Sequence, residues 1–354
     1  MAQDHDSHED GVSRRHALER MMWAGTGILW AVSGGVSKRF SLFGRAEAAS
    51  AMAQTKPTIA VIVKDTTSFY WQTVFAGARK AGRDLGVNIA ELGAQSESDI
   101  NGQISILESA VATNPAAIVI APAQFAALGK PIDEAAKKVK IIGIDTAADT
   151  VALTSMLMTD NVQAGRIASD ILAERIQKTY ADAEGDVALI TSLSEVPALD
   201  QRTKGFKEQI AAKYGALDIV SEKVADGQAT TARKLMADII TAHPELRGVF
   251  ASNLVMAQGA AEAVAESKTN KTGDKINIVG FDLDDQLVKF LRDGTIAALV
   301  VQDPFRMGYE GVRTALAASK GEQVPANIDT GASLITKANM NSARSQELIN
   351  PKIK

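Results

Sequence analysis

Six polar side chains stand around the carboxyl ends of apolar runs that read as buried strands: Ser68, Asp145, Arg202, Asn253, Asp282 and Gln302, with Tyr70 and Trp71 beside the first. An ionised carboxylate accepts several hydrogen bonds, a guanidinium donates through a planar fork, and side-chain amides do both. Tyr and Trp add large rigid faces with a polar tip, suited to a ring that is apolar on its C–H face and polar on its rim. In an open α/β sheet, ligands bind in the crevice outside the strand carboxyl ends. One crevice collecting all eight residues would hold a small polyhydroxylated molecule.

Each of these residues also has a purely structural reading. Trp71 begins the helical apolar stripe Val74, Phe75, Ala78, Ala81 and Leu85, so it and Tyr70 can be core residues. Asp282 can cap a helix, although Asp284 and Asp285 are placed to do so instead. Arg202 lies inside a helical pattern, where an exposed salt bridge is the plain alternative. Asn253 and Gln302 can satisfy loop backbone, and Ser68 and Gln124 are ordinary loop residues. Gln72 can point away from a crevice, while Asp160 and Asn161 read as a helix cap.

These residues need elements that aim them, and the chain supplies an alternation of short apolar runs with amphipathic stretches. Strands are expected at 58–63, 87–92, 117–121, 140–144, 186–191, 217–224, 247–251, 276–281 and 296–301, with a late strand within 327–336. Gly86 is placed to end the first helix. Strand–helix alternation of this kind predicts right-handed crossovers and two doubly wound parallel sheets. The length of 354 residues suits two such lobes.

The first residues read differently. Ser13-Arg14-Arg15 precedes an apolar stretch from Met21 to Val36, then Lys38-Arg39 and small-residue cleavage options between Ala46 and Ala51. This resembles a twin-arginine export leader over residues 1–53, cleaved near 48–53, with a retained anchor as the alternative. An apolar run of this length is short for a bilayer span of about 20 residues. Ala17 and Glu19 depart from the usual leader pattern.

The formal charge of −4 gives no reason to propose nucleic acid or an anionic membrane surface as partner. There is no Cys, which removes disulfides and thiolate metal sites. Of the four His, His5, His8 and His16 lie in the leader and His243 precedes Pro244 at a predicted helix end. No triad, Walker loop or G-x-G-x-x-G follows a strand, and nothing marks one carboxylate of Asp145 and Asp282 as an acid. The reading is therefore a binding protein without cofactor or metal, not an enzyme.

A family resemblance is carried by Thr67-Ser68-Phe69-Tyr70-Trp71-Gln72, Gly143-Ile144-Asp145, Thr159-Asp160-Asn161, Arg202-Thr203-Lys204-Gly205-Phe206, Phe250-Ala251-Ser252-Asn253, Val279-Gly280-Phe281-Asp282 and Gln302-Asp303-Pro304. In order and spacing these resemble the periplasmic sugar-binding proteins of the ribose-binding type, across about 56–341. The resemblance implies type I periplasmic-binding lobes at 56–159 plus 303–331 and 160–302 plus 332–341, joined by a three-crossover hinge, with 342–354 a peripheral tail. It implies stacking by Tyr70 and Trp71, hydroxyl binding by Asp145, Arg202, Asn253, Asp282 and Gln302, and Ser68 where ribose binders place an Asn. The implied partners are a sugar or polyol and an ABC permease, or alternatively a membrane receptor or kinase; the mature form is expected in the periplasm as a monomer. Thr146, Ala121, Leu254 and Gly227 replace an Arg, an Asn, an Asp and an aromatic residue of the ribose binders, so a deoxy-sugar, another pentose or hexose, or a sugar alcohol fits at least as well as ribose.

Overall fold

Apolar runs of four to eight residues bounded by turns must pair to satisfy their backbone, and an amphipathic helix after each one covers a sheet face. In the computed structural model, which describes residues 56–269 and 275–351, this produces two six-stranded sheets. In chain order come β1 (Thr58–Val63), α1 (Phe69–Leu85), β2 (Asn88–Gly93), α2 (Ile100–Ala112), β3 (Ala117–Ile120), α3 (Phe125–Ala136), β4 (Ile141–Ile144) and β5 (Ser155–Met158). The second set is α4 (Asn161–Tyr180), β6 (Gly185–Thr191), α5 (Pro197–Lys213), β7 (Leu217–Val224), α6 (Ala229–Ala242), β8 (Gly248–Ala251), α7 (Leu254–Thr269), β9 (Asn277–Phe281), α8 (Asp285–Asp293) and β10 (Ile296–Gln302). The chain then runs through α9 (Pro304–Ser319), β11 (Asn327–Asp329), β12 (Ala332–Thr336) and α10 (Ala343–Ile349).

The first sheet has the order β2-β1-β3-β4-β5-β11 and the second β7-β6-β8-β9-β10-β12, so both lobes follow one plan. The strand order reverses between β1 and β3 in one sheet and between β6 and β8 in the other, which opens a crevice at their carboxyl ends. The chain passes between the sheets after β5, after β10 and between β11 and β12. Cross-links at these passages are Thr159 Oγ1 donating to Gly331 O at 3.2 Å, Asp160 N to Asp329 Oδ1 at 3.2 Å, and Arg306 Nη1 to Thr330 O at 3.4 Å.

One close helix contact fixes each lobe, and both contacts depend on glycine. A Cβ on Gly77 of α1 would stand 1.9 Å from Phe305 O in α9, and one on Gly308 would stand 1.9 Å from Val74 O. In the second lobe Gly165 of α4 faces Arg202 O and Gly205 of α5 faces Val162 O, where added Cβ atoms would stand at 2.1 and 2.0 Å. The second pair places the Arg202 backbone directly against the start of α4.

Three features differ from the sequence expectation. Strand β5 was not expected, because Ser-Met-Leu-Met carries no β-branched residue; it pairs with β4 on one side and β11 on the other. The 327–336 segment forms two strands in different sheets, and β12 is antiparallel to β10. The final segment is not merely peripheral: Ser342 caps α10, and Leu348 and Ile349 are buried in the second lobe's core with Met340. Only one face of that helix is apolar, which gives the tail its polar composition.

The glycine contacts yield a direct stability test. Gly77→Ala should lower the urea midpoint, costing about 1–3 kcal/mol because backbone must move to admit the methyl group. Gly215→Ala, where an added Cβ meets nothing within 4 Å, is the control and should leave the midpoint within error. Equal midpoints for the two variants would show that the α1–α9 approach is not tight.

Candidate functional site

In the first lobe the apolar run of β1 ends in Lys64-Asp65, both buried. Asp65 Oδ1 accepts from Thr67 N at 2.7 Å, Thr67 Oγ1 at 2.9 Å and Ser68 N at 2.8 Å, folding the loop that delivers α1. Ser68 occupies the N-cap of α1 without capping it, and its buried hydroxyl has no partner among the described residues. Tyr70 and Trp71 meet edge to face at 4.7 Å. Tyr70 OH donates to Asp145 Oδ1 at 2.9 Å, and Trp71 Nε1 donates to Glu97 Oε1 at 2.7 Å. Both rings belong to the first lobe's core and also line the cleft.

Asp145 follows β4 in the left-handed region at φ 65°, with its N–H bonded to Leu157 O on β5. Asp282 repeats this arrangement after β9, at φ 65° with its N–H bonded to Val300 O on β10. A short polar side chain tolerates that conformation, and it turns each carboxylate out of the sheet toward the cleft. Asp284 caps α8, accepting from Leu287 N at 2.8 Å and from Gln258 Nε2 at 2.6 Å. The two acidic neighbours therefore have separate tasks.

Arg202 on α5 is buried at 3% exposure, so it is not a surface salt-bridge residue. Its Nε donates to Asn161 Oδ1 at 2.8 Å and its Nη1 to Ser252 O at 3.0 Å, while the guanidinium lies 3.7 Å from the Phe281 ring centroid. Gln302 Nε2 donates to Asp282 Oδ1 at 3.1 Å, and Gln302 Oε1 is buried without a partner among the described residues. Asn253 spends its Oδ1 on Met256 N at the start of α7, so the structural reading holds for that atom.

All eight sequence-derived residues line one cleft of about 420 Å³ between the sheets' carboxyl ends. Thr146, Gly227 and Leu254 line it too. Gln124 does not; it caps α3 and donates from Nε2 to Glu195 Oε2 of the other lobe at 2.9 Å. Lys64 and Glu97 were missed. Lys64 follows a strand directly and could have been found by the rule that found Asp145; Glu97 lies in the loop after β2 with no motif around it.

The charges are arranged unequally. Lys64 Nζ bonds both Asp145 Oδ2 and Thr146 Oγ1 at 2.8 Å. Burial alone would raise the Asp145 pKa, but the Lys64 charge and hydrogen bond, with help from Arg202 and Thr146, hold it below the ordinary value. Burial raises Asp282 to about 6, against the pull of Arg202 and Gln302 and with Asp145 pushing the same way as burial. Tyr70 stays a neutral donor, its pKa raised well above the usual value by burial and the neighbouring carboxylates.

A periplasmic binding protein domain model matches residues 59–323. The ribose import binding protein of Salmonella typhimurium is 28% identical over 289 residues, covering 81% of this chain and 93% of that one. A carbohydrate transporter solute binding protein from Agrobacterium radiobacter, in complex with D-arabinose, matches at a TM-score of 0.81 and 59% identity, covering 84% of this chain and 100% of that one. An ABC transporter solute binding protein from Agrobacterium vitis with bound D-fucose matches at 0.75 and 32%, covering 82% and 99%.

Asp282→Asn keeps the left-handed backbone, which Asn also tolerates, and removes the charge. The raised carboxyl of Asp282 contributes stability that is fully present below its ordinary pKa of 3.8 and is lost as pH rises through about 6. Urea unfolding should therefore show the unliganded wild type losing about 2 kcal/mol relative to Asp282→Asn between pH 4 and pH 7. A parallel pH response of the two proteins would exclude a raised Asp282. Asp284→Ala should instead cost about 0.5–2 kcal/mol through loss of the α8 cap.

Proposed function

The chain belongs to the periplasmic binding protein domain family, and on that premise we propose that it captures a sugar or sugar alcohol between its lobes and delivers it to an ABC permease. Members of this family bind substrates rather than transform them, so no reaction is assigned to the two carboxylates. The observation that carries the reading is the convergence of Asp145, Arg202, Asp282 and Gln302 from two lobes onto a cleft walled by Tyr70 and Trp71. Carboxylates and Gln302 Oε1 accept from ligand hydroxyls, Arg202 and the amides donate, and the aromatic pair covers the apolar face of a ring. Lys64 and Asp145 already neutralise each other within the cleft, so this pair needs no charged ligand to compensate it.

The ligand class is narrowed by Thr146, which stands where ribose binders carry an Arg. Lys64 reaches Thr146 from below and returns a positive charge to that part of the cleft through a different side chain. A pentose other than ribose fits this substitution, and the relative solved with D-arabinose makes that sugar the first probe. Closure about the passages near Thr159, Asp303 and Thr330 would bury the ligand and present the permease with a surface unlike that of the open form. The contact from Gln124 to Glu195 would be one of those made on closing.

The reading includes export of a monomeric mature protein to the periplasm through a cleaved twin-arginine leader, which lies outside the described residues. Among the described residues no helix is long and apolar enough to cross a membrane.

Calorimetry against D-arabinose, D-ribose, D-fucose and the corresponding alditols tests the ligand class; absence of binding to every member would remove it. Because hydroxyls that donate to Asp282 favour its ionised form, affinity should tighten between pH 5 and pH 7. Asp282→Ala should weaken binding about 10- to 150-fold, the contribution of a hydrogen bond to a charged group. For export, mass spectrometry of the protein from its native host should find an N-terminus between Ala49 and Gln54. Replacing Arg14 and Arg15 together with Lys should leave precursor in the cytoplasm, and unchanged export would point to the general secretory route.

A further inference from the structure

The loop from Ala94 to Asp99 joins β2 to α2 and forms part of the cleft wall. It is tied at both ends: Ala94 O accepts from Thr66 N at 3.1 Å, and Asp99 Oδ1 caps α2 by accepting from Gly102 N at 2.9 Å. Between these ties Glu97 reaches the indole of Trp71, and its Oε1 accepts from Nε1 at 2.7 Å. The same indole meets the Tyr70 ring at an interplanar angle of 84° and has the Lys64 ammonium 5.5 Å from its centroid. Tyr70 and Lys64 are themselves fixed to Asp145.

Packing against Tyr70 and Lys64 restrains the ring plane but gives no hydrogen-bond partner to the indole edge. Glu97 supplies it, and a buried indole N–H left without an acceptor would favour rotation toward water. Glu97 is half-buried in this wall, and burial raises its carboxyl against the opposing pull of Lys64 and the indole N–H.

We propose that Glu97 is a positioning residue of the cleft, pinning the Trp71 indole so that its face is presented to the sugar ring before the ligand arrives. The proposal rests on the reading of the cleft as a sugar site. It assigns to the β2–α2 loop part of the specificity for ligands with a continuous apolar ring face.

The test uses the full chain carrying Trp23→Phe and Trp30→Phe, in which Trp71 is the sole tryptophan. Glu97→Ala should raise iodide quenching of Trp71 in the unliganded protein and weaken D-arabinose binding by about tenfold. Glu97→Gln, whose amide oxygen still accepts from the indole, should return both quantities to within about twofold of the parent. Unchanged quenching and affinity in Glu97→Ala would overturn the proposal. A Glu97→Gln protein as impaired as Glu97→Ala would also overturn it, because the charge and not the pinning would then matter. If the parent itself does not bind D-arabinose, that ligand assignment fails separately, and the quenching comparison alone decides the role of Glu97.

Discussion

The buried ion pair between Lys64 and Asp145 is the contact on which the first lobe's half of the cleft depends. At 2.8 Å and with side chains only 7% and 6% exposed, each charge is compensated chiefly by the other. Breaking such a pair by removing one partner typically costs about 3–5 kcal/mol, because the other charge stays buried and uncompensated. The pair also organises its neighbours. Asp145 receives the Tyr70 hydroxyl, Tyr70 packs on Trp71, and Lys64 lies near the Trp71 ring, so a single ammonium holds a carboxylate and orders an aromatic wall.

The second lobe solves the same geometric problem with other residues. Asp282 occupies the position equivalent to Asp145, in the same left-handed conformation after the equivalent strand, but among the described residues no lysine bonds it. Its neighbours are the Gln302 amide and the Arg202 charge, and Arg202 is itself committed to Asn161 and Ser252. Burial therefore prevails at Asp282 and ion pairing prevails at Asp145. Two carboxylates matched in backbone geometry differ in charge at mildly acid pH, which lets one act as a constant acceptor while the other responds to its surroundings.

Helix packing brings Arg202 to the cleft. Because Gly165 and Gly205 have no side chains, α4 and α5 approach until backbone meets backbone. That approach sets Asn161, at the start of α4, within 2.8 Å of the guanidinium, and it buries an arginine that an amphipathic helix would ordinarily turn to solvent. The equivalent contact between α1 and α9 seats the helix that carries Tyr70 and Trp71.

Much of this was legible in the sequence because burial on both faces of a parallel strand leaves an uninterrupted apolar run. The polar residue that ends such a run is then placed at the sheet edge without further information. Asp145, Asp282 and Gln302 follow from that rule. The four-residue β5 has no such signature, since pairing with its neighbours and not its own composition makes it a strand. Helix α10 has too few apolar residues to advertise the face it buries, and the capping task of Asn253 depends on where α7 begins. By itself the sequence determined the alternating architecture and the identity of the strand-end residues, through local periodicity and chirality. Only the tertiary structure decided that Lys64 neutralises Asp145, that Glu97 holds Trp71, and that Asp282 is left largely to burial, because those outcomes depend on through-space distances between residues far apart in the chain.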